Sequence, residues 1–78
     1  MNAVDQVANL NAEVEEIIEA EADMFAEDYV ATMIHLKLEL VDLIDELEPQ
    51  CGGREGQCAR KAVSWGYEIL ATIEAALK

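Results

Sequence analysis

Residues Tyr29–Leu47 read YVATMIHLKLELVDLIDEL, and this stretch decides the fold. Tyr29, Met33, Leu36, Leu40, Leu43 and Leu47 recur at steps of four and three, which stacks side chains along one face of an α-helix. Val30, Ile34, Val41 and Ile44 form a second row beside them, widening the apolar arc to about half the circumference at about 100° per residue. An arc that broad exceeds what one partner helix can cover. The other arc carries Asp28, His35, Glu39, Asp42, Asp45 and Glu46. The stretch therefore predicts a helix set between two apolar neighbours, with a narrower acidic face turned to water.

Upstream, Val7, Leu10, Val14 and Ile17 make a second amphipathic stripe, flanked by Val4 and Ile18. Asn2, with Asp5 three residues on, fits a helix start, because Asn accepts from the free N–H groups and an early acid suits the positive end of the dipole. From Ala3 to Glu48 there is no Gly or Pro. Helix propensity alone therefore allows one long helix. Two observations argue for a break. Glu21 would fall in the middle of the Val14 and Ile17 stripe, and Asp23 and Asp28 can each cap a new helix. The expected turn lies between Asp23 and Asp28.

Downstream, Pro49 ends the central helix, since it has no N–H to donate and disfavours the helical state of the residue before it. The segment PQCGGREGQ (49–57) follows as the clear breaker in the chain. A third helix shows Ala59, Ala62, Val63, Gly66, Ile69, Leu70, Ile73, Ala76 and Leu77 on one side. Ala59, Ala62 and Gly66 are small and aligned, so another backbone can approach there. A glycine inside a helix costs about 1 kcal/mol relative to Ala, which implies a packing reason for Gly66. The expectation is one acidic all-α domain over residues 1–78, a three-helix bundle or long helical hairpin. Its helices lie near residues 3–24, 28–48 and 57–77.

Seventy-eight residues with a 53% hydrophobic content bound the rest. A chain this short buries only about 60% of its unfolded surface and is marginal alone. That favours a homodimer, joined through the broad face of the second helix and the small-residue face of the third. No apolar run approaches the length of a membrane span, and MNAVDQVANL lacks the basic start and apolar middle of a signal peptide, so a cytoplasmic protein is expected. The net charge is −12. Residues 1–48 hold fourteen acids against one lysine, whereas residues 49–78 hold three acids against four bases. Such a surface repels nucleic acid and anionic membrane and attracts basic partners. The competing account is that the carboxylates only keep an apolar bundle soluble.

Several residues stand out. Cys51 and Cys58 bracket the loop as C-x6-C, and three readings are open. They are free thiols, the default in a reducing compartment, or a disulfide stapling the hairpin, or metal ligands, for which the donors fall short. His35 lies among carboxylates on the water side. Lys37 interrupts the apolar arc of the central helix, as Glu21 interrupts that of the first. Either Lys37 extends its stem along the core edge, or the two meet as a polar pair that fixes register. Arg54, Arg60 and Lys61 gather positive charge at the start of the third helix, against its dipole, which implies an anionic neighbour. Trp65 sits at a face boundary, as an interface anchor or a partly buried core residue.

One spacing points to an enzyme instead. Glu13-x-x-Glu16 and Glu39-x-x-Asp42 resemble the E-x-x-E and E-x-x-D pairs of the all-α nucleotide pyrophosphohydrolases of the MazG type. The resemblance implies four carboxylates binding Mg²⁺, which would orient a nucleoside triphosphate for attack by water. It covers about thirty residues. The residues taken alone favour a different function, a non-enzymatic interaction protein without cofactor whose acidic face docks on a basic protein surface. That face comprises Glu16, Asp23, Asp28, Glu39, Asp42, Asp45 and Glu46. A sharper form is an inhibitor that mimics nucleic acid, as small phage and mobile-element proteins do. A purely structural homo-oligomer is the third reading.

Overall fold

The computed structural model describes residues 2–53 and 56–78. Three α-helices, α1 (Ala3–Glu19), α2 (Ala26–Leu47) and α3 (Gln57–Ala76), each pack against the other two. The bundle is a rod of 45 × 18 × 16 Å. One-turn 3₁₀ helices at Glu21–Asp23 and Glu48–Gln50 follow α1 and α2.

α1 starts where the sequence places it. The Asn2 side chain accepts from the Asp5 N–H at 2.8 Å, satisfying one of the donors a helix start leaves unpaired. The helix ends at Glu19, five residues short of the expected 24, and Glu21 and Asp23 lie in the 3₁₀ turn. Continuing the helix would have driven Glu21 into the stripe occupied by Val14 and Ile17, and a carboxylate there costs more than a broken turn. Met24 and Phe25 are extended, and α2 begins at Ala26 with no side-chain cap. Asp23 and Asp28 therefore do not cap: the chain turns at residues 20–25, upstream of most of the expected interval.

Val7 and Val14 from α1, Met33, Leu36, Leu40 and Ile44 from α2, and Ala62, Ile69 and Ile73 from α3 form the buried centre. Trp65 is half-buried and packs against it. The small face of α3 is also used internally. Gly66 is buried, and a Cβ built on it would stand 3.0 Å from the Ile44 Cγ1, so α2 closes onto α3 in that notch. Ala59, Ala62 and Gly66 are thus spent inside one chain, and α3 does not offer its small residues to a second copy.

The α2–α3 connection is held by α3 itself. Arg60 donates through Nη1 to the carbonyls of Cys51 and, at 3.0 Å, Gly53. The anionic neighbour expected of the cationic cluster is, for Arg60, this pair of backbone dipoles rather than an acidic helix. Arg54 lies outside the described residues. Tyr67 ties the same end by donating to Glu48 Oε1 at 2.6 Å. Gly56 is buried with no room for a Cβ, which would lie 2.5 Å from the Cys51 carbonyl carbon. Cys51 and Cys58 are free thiols, and Cys51 Sγ donates to the Leu47 carbonyl at 3.5 Å, so no disulfide staples the hairpin.

Candidate protein-docking surface

Asp28, Glu39, Asp42 and Glu46 recur on α2 at steps of eleven, three and four, with His35 in the gap, and all five are exposed. They form one longitudinal row on the side of α2 away from the core. Asp45 sits nearer the adjoining apolar facet, and Glu16 and Asp23 are exposed on α1 and the 3₁₀ turn. His35 Nε2 lies 3.1 Å from Glu39 Oε1, an i,i+4 pair in water. Among the described residues, none of the seven carboxylates is paired with a lysine or arginine of this chain. The row therefore presents uncompensated charge.

Glu13 and Glu16 line a shallow depression between α1 and α2 with Ile17, Thr32 and Leu36. Glu39 and Asp42 are not part of it, and among the described residues no group of three or more acidic, histidine or cysteine side chains is placed to hold a metal ion. Glu13, Glu16, Glu39 and Asp42, the quartet in the E-x-x-E and E-x-x-D spacing, are thus not gathered. On a helix, residues three apart share a face, and the two faces differ: Glu13 and Glu16 border the α1–α2 groove, whereas Glu39 and Asp42 lie in the outer row of α2.

Within one copy Lys37 and Glu21 do not pair. Lys37 Nζ lies 3.7 Å from Glu74 Oε1 of α3, with its stem along the edge of the core. Glu21 stands near the buried Tyr29. Burial pushes the Tyr29 phenol above its ordinary value, and the negative charge of Glu21 pushes it further. Tyr67 is also raised, by its hydrogen bond to Glu48 first, then by the charges of Glu48 and Asp45 and by burial.

The second apolar row of α2 has a different place from the one its pattern suggested. Ile44 is buried, but Val30 and Ile34 are 42% and 44% exposed. Leu38 is 58% and Phe25 82% exposed. Apolar surface is therefore not exhausted by the bundle, and an apolar facet runs beside the acidic row. Leu38 was not singled out by periodicity. Leu38 falls beyond the second row, toward the acidic one, and that misfit is the signal that could have found it. No helix among the described residues is long and apolar enough to cross a membrane. No family model, no curated protein and no solved structure matches the chain.

Proposed function

We propose that this protein is a non-enzymatic interaction module that works as a homodimer in the cytoplasm and docks its acidic face on a basic surface of another protein. The observation that carries the reading is the row Asp28, Glu39, Asp42 and Glu46, exposed on one helix and, among the described residues, unpaired with any lysine or arginine. Carboxylates fixed on a helix keep their spacing without further ordering, so a complementary cationic surface meets them at low entropic cost. Glu39, Asp42 and Glu46 follow at about 4.5 Å and about 6 Å along the axis. That is the same order as the about 3.4 Å between successive phosphate charges on one strand of a duplex. The sharper form follows: an inhibitor that occupies a nucleic-acid-binding site. Free Cys51 and Cys58 suit a reducing compartment.

The test is capture of partners from the native host at low salt with elution in a salt gradient, followed by affinity measurements on the purified pair. Binding is expected to weaken at least about tenfold between about 50 and about 500 mM salt, and to weaken similarly when Glu39, Asp42 and Glu46 are changed together to Gln. A complex indifferent to both changes would sink the proposal.

A further inference from the structure

The apolar facet of α2 carries a pattern of its own. Glu27, Val30, Ile34, Lys37 and Val41 recur at steps of three, four, three and four, the seam of two helices that pack along their length. Glu27, Val30, Ala31 and Ile34, with Ala26, line an open depression of about 450 Å³. The four stand at i, i+3, i+4 and i+7, which is the hole that receives one side chain of a facing helix. None of the described residues fills it, since α1 and α3 occupy the other side of α2.

We infer that a second copy of this chain fills it, with the two α2 helices antiparallel about a two-fold axis level with residue 32. The inference rests on the self-association proposed above and adds its surface and register. Charge selects the arrangement. Glu27 lies five residues before that level and Lys37 five after it, so antiparallel packing brings each Glu27 beside the partner's Lys37. Parallel packing would set Glu27 against Glu27 and Lys37 against Lys37. Between the two ion pairs, Val30 meets the partner's Ile34, and each Ile34 enters the hole described above. Leu38 comes level with the partner's Ala26, which covers the most exposed large apolar side chain of the facet. Lys37 is available for the contact: its pair with Glu74 is long at 3.7 Å, and its side chain is 38% exposed. The seam is short, so the complex belongs to the small, micromolar class of interfaces.

Sedimentation equilibrium of the full chain from about 1 µM to about 500 µM is expected to show a monomer–dimer equilibrium. The dimer should tighten as salt rises, because each copy carries a net −12 and screening relieves the repulsion between them. That trend is opposite in sign to the docking reaction with a basic partner, so the two readings fail separately. Ile34→Glu should weaken the dimer at least about a hundredfold while its thermal melt stays cooperative. Glu27→Lys and Lys37→Glu should each weaken it about tenfold, and the double exchange should recover most of the loss. Glu27→Lys is the decisive variant, since it lowers the net negative charge and general repulsion alone would make it associate more tightly. A wild-type chain monomeric across the range overturns the seam and the self-association together, and leaves the facet to a different protein. A dimer untouched by Ile34→Glu, or single charge changes without mutual rescue, overturns the seam and its register alone.

Discussion

Two facets of α2 are built from the same kinds of side chain. Met33, Leu36, Leu40 and Ile44 are buried between α1 and α3, while Val30, Ile34 and Leu38, about a quarter to nearly half of a turn around the same helix, face outward. The difference lies in how many neighbours the chain can supply. With 78 residues it makes three helices, and in a three-helix bundle each helix has two neighbours. A helix apolar over half its circumference has one facet more than two neighbours can cover. The contrast teaches that the width of an apolar arc reports how much surface favours leaving water, and not whether its own chain removes it.

The sharpest way to break this comparison is to truncate one leucine on each facet. Leu40→Ala is expected to destabilise the fold by about 3 kcal/mol, because it leaves a cavity at a fully buried position. Leu38→Ala, measured by urea unfolding at about 1 µM protein, should change stability by less than about 0.5 kcal/mol. Equal effects would mean that the outer facet is packed as the inner one is. A somewhat smaller effect probes the notch that lets α3 reach the inner facet. Gly66→Leu should cost about 2 kcal/mol, since its first side-chain carbon already presses on Ile44 and the rest has no space. A neutral result in a melting experiment would show that α2 and α3 are free to move apart.

Smaller still is the clamp on the connection between them. Arg60→Ala should cost about 1 kcal/mol, discounted because the guanidinium is exposed, with faster amide exchange at residues 51–53 as a local sign. The least is the titration of the outer end. Tyr67 has its pKa raised, so the folded state favours the protonated phenol. Its contribution is full below the phenol's unfolded pKa and is lost as pH rises through the higher folded value. An ultraviolet titration should place both tyrosines above free tyrosine, and Tyr67→Phe should leave only the Tyr29 step. A Tyr67 titrating like a free phenol would remove the hydrogen bond to Glu48 from the account.

Much of the bundle is legible before any coordinates. The row Tyr29, Met33, Leu36, Leu40 and Leu47 is the buried face of α2, and Val7 and Val14 mark that of α1. Periodicity finds these because a helix has one stable way to bury them. The end of α1 is less legible, since residues 20–25 contain no strong breaker, and Glu21, misplaced on its stripe, was the one true signal. The small face of α3 was rightly read as a close approach but not as an internal one, because a stripe of small residues does not say whose backbone arrives. Lys37 was readable as a snorkelling side chain, whereas its neighbour Glu74 came from a helix that local pattern could not orient. For the acidic face, exposure of all seven carboxylates was legible, because each falls outside the apolar stripe of its helix.

The shape of the bundle carries one more consequence. A body about two and a half times as long as it is wide drags through solvent and tumbles more slowly than a sphere of equal mass. A single copy will therefore elute from a sizing column ahead of compact standards and imitate an assembly. Mass-based methods such as light scattering or sedimentation equilibrium are what can tell one rod from two lying side by side.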